Sequence, residues 1–242
     1  MALTNRDEAP DPPPEQHPHG GEWLRDIILG LNDGLVTTLV FVMTLGGLVG
    51  SRHGLVVTAM AELLAGGLSM AFGGFLATRA DSEIRTLRVA VERHEIATEP
   101  DEERQELRAI YRRKGFTGHL LDAIISHQTA TPERWLAAML HDEHGMTDEN
   151  LRSPLVSGVT IGLSFMVGAL VPILPFFWSL PRWVGEVLAL VLTAAAAMGL
   201  GALKARHTLK TAVRSGLEFL VIAGVGAGLG ILIGKVVHGS LG

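Results

Sequence analysis

Residues 27–49, IILGLNDGLVTTLVFVMTLGGLV, hold only one charged side chain, Asp33. Residues 55–77, LVVTAMAELLAGGLSMAFGGFLA, follow after a short turn and again hold only one, Glu62. A helix of about 20 apolar residues is long enough to cross the hydrocarbon core of a bilayer. Each stretch therefore satisfies the length and composition of a transmembrane helix, and the sequence predicts a membrane protein.

The remaining charge is distributed very unevenly along the 242 residues. Residues 78–153 hold twenty-six Asp, Glu, Lys and Arg side chains, whereas residues 154–242 hold eight. The second of these segments contains three further apolar stretches of spanning length, at about 155–177, 183–203 and 217–237. We therefore predict an all-α membrane protein with transmembrane helices 1 and 2 in residues 22–77, a polar domain in residues 78–153 and transmembrane helices 3 to 5 in residues 154–242.

The composition excludes several other classes of protein. The chain has no cysteine, which excludes disulfide scaffolds, thiol catalysis and cysteine-ligated metal centres. The net charge of −5 provides no basic surface for nucleic acid. Residues 1–21 contain five of the eleven prolines and no apolar run, so we expect a disordered tail there.

The orientation follows from the Lys and Arg residues near the ends of the spans, because positive side chains stay on the cytoplasmic side. An inside N-terminus and an outside or lumenal C-terminus leave only Arg52, Arg182 and Lys235 outside. The polar domain is then cytoplasmic, in the plasma membrane of a bacterium or the vacuolar membrane of a eukaryote. The basic residues that this orientation places inside, apart from those of the polar domain, are Arg6, Arg25, Lys204, Arg206, Lys210 and Arg214.

The polar domain has the signals of three or four helices, the first continuing from the second span. Thr98 is a candidate N-cap for a helix with Pro100 in its first turn, and Gly115 marks the end of that helix. Thr131 and Pro132 begin another helix, which ends near Gly145. We therefore expect a small helical domain between helices 2 and 3.

Two carboxylates inside the spans need a physical reason, because a charge in the bilayer costs a few kcal/mol. At 1.5 Å per residue, Asp33 lies about 9 Å and Met70 about 10 Å from the cytoplasmic ends of their spans. Glu62 lies about 12 Å further out than Met70. A carboxylate level with a thioether suits a transition metal, although a hydrogen-bonded pair that fixes helix packing is the alternative.

The polar domain carries two acidic pairs, each with a spacing of three residues, which puts both members on one helix face. A chain reversal near Pro100 would bring the pairs together, and such a cluster repels itself unless a cation lies within it. Met139 and Glu143 could add a sulfur and a fifth carboxylate, with His141 and His144 beside them. A solvated acidic face is the alternative. The paired residues are Glu92 with Glu95 and Glu103 with Glu106.

These features together resemble the vacuolar iron transporter family. The resemblance covers roughly residues 22–240 and depends on the order and spacing of the motifs. They are Asn32-Asp33-Gly34, Ala61-Glu62, Gly67-Leu68-Ser69-Met70, Glu92-x2-Glu95-x7-Glu103-x2-Glu106, Arg108-x2-Tyr111, Lys114-Gly115-Phe116, and Met139 with Glu143.

The resemblance implies a homodimer of five-span protomers that moves Fe²⁺ out of the cytosol in exchange for protons. No prosthetic group is implied; Fe²⁺ is the bound substrate, with Mn²⁺, Zn²⁺ and Co²⁺ as further candidates. Asp33, Met70 and Glu62 match positions along a metal pathway between the protomers. The cytoplasmic metal site is implied to consist of Glu92, Glu95, Glu103, Glu106, Met139 and Glu143.

The sequence departs from the family pattern at two places. Leu140 stands where a Glu usually follows the Met, so one ligand is missing unless His141 or Asp142 replaces it. Gly73-Gly74-Phe75 lacks the Glu that the family often has at the inner end of span two.

Two other functions compete with transport. A membrane-anchored di-iron oxidase would also cluster carboxylates, but it uses Glu-x-x-His motifs, and no Glu in this chain has a His three residues later. A metal-sensing membrane protein would bind ions in the polar domain without moving them. The transporter is the leading hypothesis and predicts that the chain is not an enzyme.

Overall fold

The computed structural model describes residues 21–46, 49–146, 153–205 and 211–241, and every regular element in these ranges is a helix. The predicted disordered tail lies outside the described residues except for Gly21. A short 3₁₀ helix, Leu174–Phe177, follows α6. The α-helices of the four described ranges are α1 Gly21–Gly46, α2 Arg52–Thr98, α3 Pro100–Arg113, α4 Gly118–Gln128, α5 Pro132–Asp142, α6 Pro154–Ile173, α7 Arg182–Ala205 and α8 Ala212–Leu241.

Within the described part of the chain, five helical segments are long and apolar enough to cross a membrane, which agrees with the predicted number of spans. Along these segments many large apolar side chains are exposed, such as Phe72 on α2 and Leu163 on α6. Exposed apolar surface on this scale suits contact with lipid rather than water. The segments are Trp23–Gly46, the membrane part of Arg52–Thr98, Pro154–Phe177, Arg182–Ala205 and Gly216–Ile233.

The chain divides into two compact units. The first unit comprises Met1–Met70 and Thr160–Gly242, and the second comprises Ala71–Val159. Helix α2 is one continuous helix of 47 residues and contributes to both units. The expectation that the first helix of the polar domain continues span two is therefore confirmed.

The first unit is built on α1, α7 and α8, which pack against one another. Its apolar core takes residues from five helices and the 3₁₀ segment, with Leu39, Val42 and Phe165 among the most deeply buried. Thr44 on α1 donates a hydrogen bond of 3.1 Å to the Gly230 carbonyl on α8. Apolar packing and this polar contact together hold α8 against α1.

Helices α1 and α6 approach each other at backbone distance. A Cβ atom added to Gly34 would lie 2.1 Å from the Phe165 carbonyl oxygen, and one added to Gly30 would lie 2.3 Å from the Ile161 oxygen. On the opposing helix, Gly168 meets the Leu31 carbonyl in the same way. Small residues allow this approach, and Gly34 therefore fixes α6 directly beside Asp33.

The second unit has its own apolar core, where α3, α4 and α5 pack together. Ile96 from the end of α2, with Tyr111 and Phe116, packs against this core. Leu121 and Ile125 of α4 are buried in it. The residues at its centre are Leu107, Leu121, Ile125, Trp135, Ala138 and Met139.

The helix ends in the second unit match the sequence signals at most positions. Thr131 caps α5 by accepting a hydrogen bond from the Arg134 amide, and Pro132 follows at the first helical position. Gly115 and Gly145 have positive φ values of 98° and 63°, where glycine is favoured. The predicted cap of α3 is wrong, because α2 extends through Thr98 and the Thr98 hydroxyl donates to the His94 carbonyl.

Replacing Gly34 with Ala should destabilise the protein by about 1–3 kcal/mol, because the new methyl group meets backbone atoms that cannot move aside. Gly199→Ala on α7 is the matched control, since nothing lies within 4 Å of its added Cβ. Thermal unfolding in detergent should show a lower Tm for Gly34→Ala only. Equal Tm values for the two variants would contradict the close approach of α1 and α6.

Candidate metal sites

The acidic cluster of the second unit forms where the chain reverses between α2 and α3. Glu99, with φ −129° and ψ 48°, breaks the helical path, and Pro100 begins α3. Glu92 and Glu95 lie on the last turns of α2, and Glu103 and Glu106 lie on the first turns of α3. All four carboxylates are close enough to interact electrostatically. The structure therefore brings together the two acidic pairs singled out in the sequence.

Two of these carboxylates are buried, which a solvated acidic face does not explain. Glu92 is 2% exposed and Glu103 is 7% exposed, whereas Glu106 lies at the surface. One oxygen of Glu92 and one of Glu103 are buried without a hydrogen-bond partner. A buried carboxylate is costly unless it is paired, protonated or bound to a cation. The arrangement is therefore suited to hold a positive ion.

The electrostatics of the cluster favour protonation when no cation is present. Burial, followed by the adjoining Glu92 carboxyl and the charges of Glu106 and Glu95, raises the pKa of Glu103 to about 8. The pKa of Glu143 is also raised, mainly by burial and then by the charge of Glu92. Close like charges cannot all ionise together. The cluster thus holds at least one proton near neutral pH.

The end of α5 completes the cluster. Glu143 and His144 follow the last helical residue, and each offers a ligand atom that lies within 4.8 Å of the other and of a Glu92 oxygen. The His144 Nε2 atom lies 3.0 Å from Glu92 Oε2. Sequence reasoning placed His144 beside the cluster but not among its candidate ligands. Its position directly after the candidate ligand Glu143 and before Gly145 is a sequence signal that could have included it.

Met139 lies in the apolar core of the second unit and is completely buried. Glu143 caps the C-terminus of the same helix one turn later, so Met139 anchors the helix whose end presents this carboxylate. Ligation of a metal by Met139 stays a prediction.

Asp142 takes part in a different set of contacts. It accepts hydrogen bonds from Lys114 and His141, and it lies next to the Tyr111 hydroxyl. Burial alone would raise the pKa of Asp142, but these contacts, led by the hydrogen bond from Lys114, lower it. The same neighbourhood raises the pKa of Tyr111, mainly through burial and then through Asp142. Asp142 and His141 are thus engaged in tying α5 to the end of α3.

The carboxylates inside the spans belong to the first unit. The Thr38 hydroxyl on α1 donates a hydrogen bond of 2.9 Å to Glu62 on α2, and Thr38 is completely buried. The Thr37 hydroxyl donates to Asp33 at 3.3 Å. Asp33 is also close enough to Glu62 for the two charges to interact. Threonine hydroxyls therefore stabilise both carboxylates, while a metal-ligating role for them stays a prediction.

Met70 is partly buried and packs against the apolar core of the first unit. It lies two turns along α2 from Glu62, so the helix carries both side chains in the same membrane segment. The predicted pairing of Met70 with Asp33 in one metal site stays a prediction.

Comparison with known proteins identifies similar chains over almost the whole length. A profile of the VIT family matches residues 24–235. "Vacuolar iron transporter 2" of Oryza sativa subsp. japonica is 32% identical over 225 residues, which cover 93% of this chain and 91% of the relative. "Vacuolar iron transporter 1" of Arabidopsis thaliana is 28% identical over 225 residues, covering 93% and 90%. "Protein CCC1" of Saccharomyces cerevisiae is 26% identical over 214 residues, covering 85% and 66%.

The metal-free protein should lose stability as the pH rises from about 5 to about 8. Folded Glu103 keeps its proton up to a pKa of about 8, whereas the unfolded side chain loses it near its ordinary value of 4.5. The folded state therefore binds more protons in this range, and the stability that the Glu103 proton contributes is lost as the pH rises. One pKa unit corresponds to about 1.4 kcal/mol, so the free energy of unfolding should fall by a few kcal/mol.

Thermal unfolding of the metal-free protein across this pH range measures the effect. Glu103→Gln, which is neutral at every pH, should flatten the dependence of Tm on pH, whereas Glu102→Gln at an exposed position of the same helix should not. An unchanged slope in Glu103→Gln would show that Glu103 titrates normally.

Proposed function

Because this chain belongs to the VIT family, we propose that it moves Fe²⁺ out of the cytosol in exchange for protons. Members of the family are transporters rather than enzymes, so the chain is not an enzyme and the di-iron oxidase hypothesis is wrong. Its spanning segments make it a multi-pass membrane protein. Fe²⁺ is the principal substrate of the proposal, and Mn²⁺, Zn²⁺ and Co²⁺ are further substrates.

The observation that carries the proposal is the presence of carboxylates in two separate settings. Glu92 and Glu103 are buried in the second unit with unpartnered oxygens. Asp33 and Glu62 lie within segments that can cross a membrane, close enough to interact. The relatives named as iron transporters supply the identity of the ion. Oxygen ligands with a nearby thioether or imidazole suit a divalent transition metal.

In the proposal the carboxylates of the membrane segments form the transport route. A bare charge on Asp33 or Glu62 inside the bilayer costs about 3 kcal/mol on insertion scales. Each carboxylate is therefore best neutralised by a metal ion or by a proton. Exchange of the metal ion for the proton couples metal transport to proton transport. Met70 supplies a sulfur ligand that favours transition metals over Mg²⁺.

The proposed topology places the N-terminus and the second unit in the cytosol and the C-terminus outside or in the lumen. This orientation keeps Arg25, Lys204 and Arg214 on the cytoplasmic side, as the positive-inside rule requires. The relatives named as vacuolar transporters favour an organellar membrane of this kind. A homodimer of the chain would place the route between the two protomers and would cover part of the exposed apolar surface.

The helical domain proposed for residues 78–153 collects metal for the route. Its buried carboxylates gather a cation from the cytosol, raising the local metal concentration near the membrane. They are not themselves steps of the permeation route in this proposal. Metal would displace the proton held by Glu103, so binding should release protons.

Asp33→Asn should abolish Fe²⁺ uptake into sealed, anaerobic proteoliposomes with an imposed pH gradient, because the amide can neither bind metal strongly nor carry the exchanged proton. Asp81→Asn, at an exposed position of α2, is the matched control and should transport at the parent rate. A pH-sensitive dye inside the liposomes should report proton movement only with active protein. Full transport by a folded Asp33→Asn variant would exclude Asp33 from the route.

The same assay also separates transport from metal sensing. A sensor would bind Fe²⁺ in detergent but would carry none into the liposomes. Uptake without any response to the pH gradient would support metal transport and contradict antiport.

The double variant Glu92→Gln/Glu103→Gln should slow uptake at low Fe²⁺ concentration much more than at saturation. Removing the buried carboxylates of Glu92 and Glu103, the collecting site, lowers the local supply of metal but leaves the transport route through the membrane segments intact. Glu102→Gln/Glu133→Gln, with both positions exposed, is the matched control. Initial rates across an Fe²⁺ series would show an apparent KM raised about tenfold with a nearly unchanged maximal rate. An equal loss at all concentrations would place Glu92 and Glu103 in the obligatory route.

A further inference from the structure

His144 is held against the acidic cluster by the turn that ends α5. Helix α5 stops at Asp142, and Gly145 turns the chain with a φ of 63°. This turn directs the His144 ring back toward α2, where its Nε2 atom lies 3.0 Å from Glu92 Oε2. The side chain is 26% exposed, so the ring is largely enclosed.

Two carboxylate oxygens of the cluster accept no hydrogen bond from the described part of the protein. Glu92 Oε1 and Glu103 Oε2 are both buried without a hydrogen-bond partner, on side chains more than nine-tenths buried. Contact with His144 satisfies the other oxygen of Glu92, and without a cation Glu92 and Glu103 can offset their repulsion only by sharing a proton. An unpartnered buried carboxylate oxygen costs free energy that a bound cation recovers. The unpartnered Glu92 oxygen therefore points to a ligand beside the carboxylate that His144 contacts, and Glu103 adjoins the same carboxylate.

We propose that His144 is a metal ligand through Nε2, together with Glu92 and Glu143, and makes the collecting site a mixed nitrogen and oxygen site. This proposal depends on the proposed function of the cluster and extends it to metal selectivity. His144 supplies a donor atom where Leu140 supplies none.

The distances suit a shared ion. Ligands about 2.1 Å from a metal at adjacent octahedral positions lie about 3.0 Å apart. The separation between His144 Nε2 and Glu92 Oε2 has this value, which is also that of a hydrogen bond, so a bound ion would replace the proton that the two atoms share. Glu143 is exposed and offers a ligand atom within 4.8 Å of one from Glu92 and one from His144, so rotation of its side chain can bring it to the same ion.

An imidazole ligand changes which ions the site retains. Imidazole suits Fe²⁺, Zn²⁺, Co²⁺ and related ions, whereas Mg²⁺ and Ca²⁺ prefer oxygen alone. A cluster made only of carboxylates would also collect these hard and abundant ions. His144 therefore provides selectivity for transition metals before the ion reaches the membrane.

His141 provides the matched control because it belongs to the same segment but faces a different partner. Its Nδ1 atom contacts Asp142, and 67% of its side chain is exposed. Asp142 in turn accepts a hydrogen bond from Lys114. Loss of the His141 ring should leave the ligands of the cluster in place.

Pulsed EPR on the full-length protein in detergent, loaded with one equivalent of Mn²⁺, tests the proposal directly. The parent protein and His141→Gln should show electron spin echo modulation from a directly bound ¹⁴N nucleus. His144→Gln should lose this modulation while still binding Mn²⁺ through the carboxylates. Competition between Co²⁺ and Mg²⁺ should show a Co²⁺ preference lower by about tenfold or more in His144→Gln.

His144→Asp guards against a variant that fails to fold, because it keeps a ligand atom at this position. It should bind Mn²⁺ without ¹⁴N modulation and should also have the lower Co²⁺ preference. Persistence of the modulation in either variant, or its absence from the parent protein with bound Mn²⁺, would overturn the role of His144 and leave a carboxylate site. Failure of the parent protein to bind Mn²⁺, Co²⁺ or Fe²⁺ would overturn both this inference and the collecting role.

Discussion

The second unit is organised around the cost of enclosing two carboxylates, Glu92 and Glu103, in a helical core. The α2–α3 reversal forces these side chains together, and packing around Leu107 leaves little water to solvate them. A proton shared within the cluster offsets the repulsion, and a divalent ion would offset it better. Packing of the apolar core thus stabilises the second unit, whereas enclosing the acidic cluster destabilises it. The core must stabilise the fold enough to hold the charges in place.

The first unit solves a related problem by different means. Its two carboxylates, Asp33 and Glu62, lie close enough to interact, but each accepts a hydrogen bond from a threonine hydroxyl, Thr37 or Thr38. Hydroxyl donors satisfy a carboxylate in low dielectric without adding charge, and they lie on the same helix as Asp33. The approach of α6 at Gly34 adds tight packing beside these groups. The same kind of side chain therefore meets two environments, one crowded with like charges and one supplied with neutral donors.

Much of the architecture could be predicted from the sequence because long apolar stretches and capping residues are local signals. The five spans, the continuity of α2 and the start of α5 at Thr131 all follow from such signals. Thr98 failed as a cap because α2 retained it in its last turn, and the residue that precedes Pro100 took the cap position. Local helix propensity does not determine which of two adjoining helices includes the residue at their boundary.

The hydrogen-bond partners of the side chains could not be predicted, because they depend on tertiary geometry that residue spacing does not specify. The acidic pairs converge as the break near Pro100 indicated, but the hydrogen bond between Thr38 and Glu62 requires the relative position of α1 and α2. Of the residues near the end of α5, Asp142 and His141 were the candidates to replace a missing ligand. The turn at Gly145 instead directs His144 to the cluster and leaves Asp142 with Lys114.

The shortness of α5 gives the cluster a means of opening. A helix of eleven residues is not stable by itself in water, so α5 persists only while Trp135, Ala138 and Met139 remain docked in the core. Local unfolding of this one segment would withdraw Glu143 and His144 together, while Glu92 and Glu103 stayed on the two neighbouring helices. For the proposed metal site, the lifetime of a bound ion would then be limited by the undocking rate of α5, a motion that amide hydrogen exchange resolves.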